Sequence, residues 1–100
     1  MSWLLHITHP DQSKSVYSLT PGSQVLVGRE EGDIQLGLDE SVSTKHVRLR
    51  VKKDEILFED LSSTNGVFHR NQKKSMGVIL PDDVLLVGQT VLKFERPRKS

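Results

Sequence analysis

The sequence predicts an all-β domain of ten or so short strands, folded as a sandwich or a small barrel. Three observations predict this fold. Apolar residues recur in short runs closed by turn residues, at the eight-to-twelve-residue spacing typical of sandwiches and small barrels. No window has apolar residues at i, i+3, i+4 and i+7 over three turns, as an amphipathic helix would. The chain has 100 residues, 35% of them hydrophobic, enough for one domain with a modest core.

Nine strands can be placed individually. The alternation is clearest in the fifth, where Val47, Leu49 and Val51 point one way and the two arginines between them point the other. Such a strand has one solvent-exposed face. The last two strands are joined by a two-residue Gly-Gln link of the kind that hairpin turns favour. The predicted strands are Trp3–Ile7, Ser15–Leu19, Gln24–Gly28, Ile34–Leu36, His46–Val51, Ile56–Asp60, Val67–His69, Val84–Val87 and Val91–Phe94.

Composition excludes several classes of function. Fourteen basic and 13 acidic residues give a net charge of +1, too small for a protein that neutralises many nucleic-acid phosphates. No segment approaches the ~20 apolar residues that would span a membrane. The absence of cysteine excludes disulfides and thiolate zinc sites, and it fits an intracellular location. We expect the domain to occupy residues 1–95, with 96–100 a basic tail or the start of a linker.

Polar residues gather in three predicted turns: Gly28-Arg29, the run from Ser41 to His46, and the run from Ser62 to Gly66. Binding residues concentrate on loops held by a rigid scaffold. An arginine offers a planar fork for two phosphate oxygens, and hydroxyls and a lysine can donate to the others. An asparagine side chain can both donate to and accept from a peptide main chain. This set of groups suits a phosphorylated peptide better than it suits a reaction.

The order and spacing of these clusters resemble the signature of forkhead-associated (FHA) domains. The matching runs are Val27-Gly28-Arg29, then Ser43-Thr44-Lys45-His46, then the segment from Glu59 to Phe68 with its Ser-Thr-Asn-Gly. The resemblance covers roughly residues 3 to 95. It implies a two-sheet antiparallel β-sandwich of about ten or eleven strands, with its binding loops at one end. It also implies a phosphothreonine-dependent protein-interaction module that recruits threonine-phosphorylated partners, with no catalytic residue, cofactor or metal and no direct contact with nucleic acid or membrane.

The resemblance also implies the site residues. Arg29 and Ser43 match the two positions that hold the phosphate in the family, and Asn65 matches the asparagine that hydrogen-bonds the peptide main chain. His46 matches a residue whose imidazole braces the loop that carries Ser43. The phosphopeptide-binding residues are thus Arg29, Ser43, Thr44, Lys45, Thr64 and Asn65, and their structural supports are Gly28, His46 and Gly66.

Two departures from the family pattern affect loop shape. Asn71-Gln72 stands where many members have Asn-Gly, and Pro81-Asp82-Asp83 stands where Asp-Gly-Asp is usual. The stretch from Arg70 to Gly77 is expected to be a variable loop that helps to set partner preference. A fainter likeness to the amino-terminal FHA domains of nibrin-like adaptors suggests a nuclear location and a role in the DNA damage response.

Four other functions remain open at this point. Ser43, His46 and Asp39 could form a hydrolase triad, although the Gly-x-Ser-x-Gly elbow is missing. Histidines at 6 and 9 could hold a metal with one at 46 or 69. Basic residues at 48, 50, 52 and 53 could contact nucleic acid on an OB-like barrel, which here lacks the aromatic stacking platform. The best alternative is an FHA fold that no longer binds phosphopeptide and acts as a homodimer or scaffold.

Overall fold

The computed structural model describes residues 2–97, and in that range it contains eleven β-strands and no helix. Nine strands agree with the predicted ones to within one residue at each end. The strands are β1 (Trp3–Thr8), β2 (Lys14–Leu19), β3 (Gln24–Gly28), β4 (Ile34–Gln35), β5 (Val47–Val51), β6 (Ile56–Asp60), β7 (Val67–His69), β8 (Gln72–Lys73), β9 (Met76–Ile79), β10 (Val84–Val87) and β11 (Thr90–Glu95).

Two sheets form the sandwich, which confirms the predicted fold class. One sheet has six strands in the order β2-β1-β11-β10-β7-β8, and the other has five in the order β4-β3-β5-β6-β9. Every pairing is antiparallel except β3 with β4, which run parallel over two residues. The short strand β4 therefore extends the sheet beside β3 at the end where the Gly28-Arg29 turn begins.

The core lies between the sheets and is built from alternate residues of the strands. In β1 the side chains of Trp3, Leu5 and Ile7 are buried while those between them are partly exposed. In β5 the predicted alternation is observed, with Val47 and Leu49 fully buried. Period-two burial of this kind is what a two-layer sandwich requires, because each sheet has only one face against the other.

The stretch from Arg70 to Gly77, expected to be a variable loop, instead contains β8 and the first half of β9. Arg70 and Asn71 form the two-residue turn between β7 and β8, with φ of 54° and 64°. Positive φ at both positions is the geometry of a primed hairpin turn. These strands could not be predicted from the sequence, because β8 has only two residues and β9 contains a glycine, a residue type that is depleted in strands.

The turn before β10 keeps a glycine-like backbone without a glycine. Asp82 stands at the position where the family pattern has glycine, and its φ is 71°. An L-residue in this left-handed region costs about 1–2 kcal/mol, and aspartate is among the residues that tolerate it. The departure noted in the sequence therefore changes the residue but keeps a left-handed turn.

Both ends of the described chain contact the β5–β6 turn. The indole Nε1 of Trp3 donates to the carbonyl of Lys52 at 2.9 Å. At the other end, Arg96 Nε donates to the carbonyl of Lys53 at 2.9 Å, and its guanidinium lies 3.1 Å from the Asp54 carboxylate. The rest of the expected basic tail, 98–100, lies outside the described residues. Between residues 2 and 97 no helix is long and apolar enough to cross a membrane.

Candidate functional site

Three loops that carry the predicted binding residues meet at one end of the sandwich. They connect β3 to β4, β4 to β5 and β6 to β7, and they surround an open depression of about 680 Å³. The structure brings all six predicted phosphopeptide-binding residues to this depression. Its lining residues are Arg29, Glu31, Glu40, Ser41, Val42, Ser43, Thr44, Lys45, Ser62, Thr64 and Asn65.

Gly28 lets the β4–β5 loop approach the end of β3. A Cβ at this position would lie 2.0 Å from the carbonyl oxygen of Thr44 and 2.6 Å from that of Glu31, so only glycine fits. Just beyond it, the N–H of Arg29 donates to the carbonyl of Ser43 at 2.9 Å. This close backbone contact holds the loop beside the arginine.

His46 connects the two loops on either side of the depression. Its ring is fully buried, Nδ1 accepts the main-chain N–H of Ser43 at 3.0 Å, and Nε2 lies 2.7 Å from the carbonyl oxygen of Gly66. A carbonyl can only accept, so the ring carries its proton on Nε2 and is neutral in this arrangement. Gly66 has a φ of 81°, a left-handed conformation that glycine adopts more readily than other residues.

The hydroxyl of Ser43 is oriented by its neighbour across the depression. The main-chain N–H of Thr64 donates to Ser43 Oγ at 3.0 Å. Because this bond uses a lone pair of the hydroxyl oxygen, the hydroxyl hydrogen must point elsewhere, and the oxygen lies in the lining of the depression. Since the amide of Thr64 is engaged in this way, the hydroxyl is the group with which Thr64 can contact a ligand.

The two cations of the depression are each held by an exposed carboxylate. Arg29 Nη2 lies 3.5 Å from Glu30 Oε1, and Lys45 Nζ lies 3.4 Å from Glu31 Oε2. Such exposed pairs are worth about 0–1 kcal/mol, so a doubly charged ligand can displace them. Arg29 Nε is buried and has no hydrogen-bond partner among residues 2–97. The guanidinium is therefore positioned but only weakly engaged.

Asn65 forms the far wall of the depression. Its Nδ2 donates to the carbonyl of Ser41 at 2.7 Å, which links the β6–β7 loop to the β4–β5 loop. The side-chain carbonyl oxygen and the second amide hydrogen remain for other partners. Thr44, the sixth predicted residue, is exposed and lies between Ser43 and Lys45 on the rim.

Asp39 is a supporting residue that the sequence did not reveal, since it was considered only as a triad member. Its carboxylate is buried; Oδ1 accepts the N–H of Ser41 at 2.9 Å, and Oδ2 accepts the N–H of Gln89 and the hydroxyl of Thr90, each at 2.7 Å. These bonds fasten the β4–β5 loop to the β10–β11 turn. The partners lie about fifty residues away along the chain, so no local motif predicts them.

The alternative sites are not assembled. His46 bonds the main chain of Ser43, not its hydroxyl, and Asp39 is turned toward the β10–β11 turn, so the three groups do not form a triad. In the described part of the chain, no three His, Cys, Asp or Glu side chains are close enough to hold a metal ion. Arg48 and Arg50 lie on the outer face of the five-stranded sheet, away from the depression.

Solved FHA domains have the same fold along nearly the whole chain. A structure from work on phosphothreonine-dependent FHA domain interactions has a TM-score of 0.85 at 26% identity, and it covers 99% of this chain and 100% of that chain. The FhaA FHA domain, complexed with the intracellular domain of Rv3910, has a TM-score of 0.78 at 26% identity. The match covers 91% of this chain and 99% of that chain. The FHA domain of CT664 from Chlamydia trachomatis has a TM-score of 0.89 at 24% identity, with 98% and 100% covered.

A sequence family matches as well: the cytoplasmic domain of the inner membrane component of type III secretion systems matches residues 7–98. The chain belongs to this FHA-type family. The FHA domain-containing protein FhaB of Mycolicibacterium smegmatis is 35% identical over 78 residues, which are 76% of this FHA domain chain and 50% of the relative. FhaB of Mycobacterium tuberculosis is 33% identical over 71 residues, which are 70% of this chain and 46% of that relative. The chain thus spans about half the length of the curated relatives it matches.

Proposed function

We propose that this FHA domain binds phosphothreonine in partner proteins and thereby recruits them. The observation that carries the proposal is the hydroxyl of Ser43, whose oxygen accepts the N–H of Thr64 and whose hydrogen is left for a ligand in the depression beside Arg29. A hydroxyl donor and a guanidinium fork on one wall are the groups that bind phosphate oxygens. The likeness to FHA domains studied for phosphothreonine-dependent interactions supports the same ligand.

The charge balance of the depression favours a doubly charged ligand over a carboxylate. Arg29 and Lys45 are each next to a glutamate, so a ligand must replace that carboxylate to gain a contact. A phosphate carries close to two negative charges at neutral pH and three acceptor oxygens, whereas a carboxylate side chain carries one charge and two oxygens. We therefore expect a phosphorylated peptide to displace the glutamates and a glutamate-containing peptide to fail.

The remaining predicted residues contact the rest of the ligand in this proposal. The Thr64 hydroxyl and the exposed Thr44 reach the phosphothreonine, and the free amide groups of Asn65 bond the peptide main chain beside it. Gly28, His46 and Gly66 keep the loops together and do not touch the ligand. The proposal includes no catalytic residue, no metal and no cofactor.

Arg29→Ala tests the proposal, with Arg50→Ala as the matched control. Arg50 is an exposed arginine on the outer sheet face, outside the depression. We expect Arg29→Ala to weaken binding of a phosphothreonine peptide, identified from an oriented peptide library, by about 1.5–3 kcal/mol, the range of charge-assisted bonds. The control should bind as the parent does. Equal affinity of the parent and Arg29→Ala, measured by isothermal titration, would remove Arg29 from the site.

A scaffold role through a homodimer is the second candidate function. One observation favours it: the edge of the five-stranded sheet at β9 is open. The two functions are compatible, because no residue of β9 lines the depression. If the protein dimerises and no phosphothreonine peptide from the library binds, the scaffold role alone accounts for the fold.

An intracellular location is part of the proposal, since the matched family is described as a cytoplasmic domain. The named relatives are bacterial, so they lend no support to a nuclear location or to a role in the DNA damage response. Residues 1–95 remain the proposed extent of the domain, because β11 ends at Glu95.

A further inference from the structure

Among residues 2–97, strand β9 is the outermost strand of the five-stranded sheet and has a neighbour, β6, on one side only. The N–H of Asp60 donates to the carbonyl of Ser75 at 2.8 Å, so this opposed pair is a hydrogen-bonded one. Hydrogen-bonded and non-hydrogen-bonded pairs alternate along an antiparallel ladder. Met76 and Val78 are therefore in non-hydrogen-bonded pairs, and their main-chain N–H and C=O groups point to the open edge.

The segments that flank β9 satisfy their main-chain groups within the chain. The N–H of Lys74 donates to the carbonyl of Val67 at 2.9 Å. At the other end, the N–H of Leu80 donates to the Asp83 carboxylate, and its carbonyl accepts the N–H of Asp83. The open edge thus presents one short stretch of two donors and two acceptors, centred on Gly77.

The side chains along this edge are apolar, and charges flank them on both sides. Met76 and Val78 are 65% and 41% exposed and share the outer sheet face with Leu57. Exposed sheet edges are usually protected by charged residues, proline or a bulge. β9 itself has none of these; two lysines precede it, at 73 and 74, and two aspartates follow it, at 82 and 83.

We propose that β9 pairs antiparallel with β9 of a second copy of this chain, about a twofold axis at Gly77. In this register Met76 of each copy lies opposite Val78 of the other, and the two pairs form four hydrogen bonds that use every outward main-chain group of both strands. Antiparallel pairing brings the lysines of one copy toward the exposed Asp82 of the other. A parallel arrangement would place like charges together, so the edge is complementary to itself.

The dimer is small and leaves the phosphopeptide depressions open. Two four-residue strands bury less surface than a stable interface of standard size, so association is reversible and depends on concentration. Each copy keeps its depression free, because none of the lining residues lies on β9. Two sites in one particle bind doubly phosphorylated partners more tightly than either site alone.

Sedimentation equilibrium tests the dimer. The samples are the unmodified chain and two single variants, Val78→Lys and Val84→Lys. Val84 is the matched control, because it is the same residue type, is 42% exposed against 41% for Val78, and lies on the other sheet. We expect a concentration-dependent dimer for the parent and for Val84→Lys. The Val78→Lys dimer should be at least ~10-fold weaker, with an unchanged melting temperature, since the lysine meets the partner's edge and not the core.

Amide hydrogen exchange on the unmodified chain gives a second readout that needs no substitution. The amides of Met76 and Val78 should gain protection as concentration rises, while other edge amides, such as those of β2, stay unchanged. A chain that is monomeric up to about 1 mM would overturn the proposal. So would a dimer that Val78→Lys leaves intact, or one that Val84→Lys weakens as much.

Discussion

Ser43 illustrates how one residue organises this site. Its main-chain N–H donates to His46, its carbonyl accepts from Arg29, and its hydroxyl oxygen accepts from Thr64. The three partners belong to three different parts of the chain. The only hydrogen-bond donor left to the residue is the hydroxyl hydrogen, so the scaffold orients the donor that the proposed ligand needs.

His46→Ala should destabilise the fold and, through it, weaken binding. The substitution leaves the partly buried N–H of Ser43 and the buried carbonyl of Gly66 without partners, and an unpaired buried group costs about 1–3 kcal/mol. We expect a loss of roughly 2–4 kcal/mol in the free energy of unfolding, measured by urea denaturation. His9→Ala is the control, because that ring makes one side-chain hydrogen bond, to Ser15. Full stability with lost peptide binding would instead make His46 a direct ligand.

The six residues predicted to bind the phosphopeptide lie around one depression, and the sequence could indicate them because their signal is local. Gly28-Arg29, the Ser43–His46 run and the Thr64–Gly66 run are contiguous segments whose residue types carry their chemistry. Asp39 was not predicted as a support, because its partners at Gln89 and Thr90 come from the opposite end of the chain. Pairings of Glu30 and Glu31 with the site's cations also depend on side-chain positions that residue type does not determine.

Among the elements, the β9–β10 turn keeps its left-handed position with Asp82 and is held by the carboxylate of the next residue, Asp83. Asp83 accepts the N–H of Leu80 at 2.9 Å, lies 3.1 Å from His69 Nε2 and 3.3 Å from Arg70 Nη2. Burial alone would raise the pKa of Asp83, but the hydrogen bonds from Leu80 and His69 and the positive charge of Arg70 outweigh it, and the pKa is lowered from 3.8. The turn is thus held by an ionised carboxylate.

Stability should therefore fall in acid partly through this residue. A carboxyl that is more acidic in the folded than in the unfolded chain stabilises the fold fully above its unfolded pKa of 3.8, and this contribution is lost as the pH falls below that value. We expect Asp83→Asn to lower the melting temperature at pH 7 and to reduce the difference in melting temperature between about pH 7 and pH 3.

Asp82→Asn is the control for this comparison, since that neighbouring side chain is exposed. It should keep the pH dependence of the parent. An Asp83→Asn variant with the same pH dependence as the parent would show that the carboxylate does not stabilise the turn.

Strands that carry apolar runs or alternating apolar residues were predicted to within a residue, whereas β8 and β9 were missed. β5 is read directly from apolar residues at every second position, and β6 from the apolar run with which it begins. β8 has two exposed residues, and β9 pairs only because β6 presents an edge to it, so tertiary contact decides both. The parallel β3–β4 pairing likewise depends on how the chain returns after Gly32 and not on local propensity.

At the scale of the whole molecule, the sandwich separates the proposed recognition site from its other surfaces. The three loops with the proposed phosphate-binding groups lie at one end, and the open edge of β9 borders one sheet. Trp3 and Arg96 tie the two ends of the described chain to the β5–β6 turn. A domain arranged in this way can be joined to other segments without blocking the depression. The fold class was predictable from composition and from the pattern of apolar residues, whereas the family assignment needed the order of three motifs.

Phosphothreonine-dependent binding can be measured by titrating four matched peptides by fluorescence anisotropy, with and without EDTA. They share one sequence and carry phosphothreonine, phosphoserine, glutamate or plain threonine at the same position. We predict at least ~10-fold tighter binding of the phosphothreonine peptide than of the plain one. Phosphoserine should bind more weakly than phosphothreonine because it lacks a methyl group worth ~0.8 kcal/mol when buried, and EDTA should change nothing. Equal affinity for the plain and the phosphothreonine peptides would show that the domain does not recognise the phosphate.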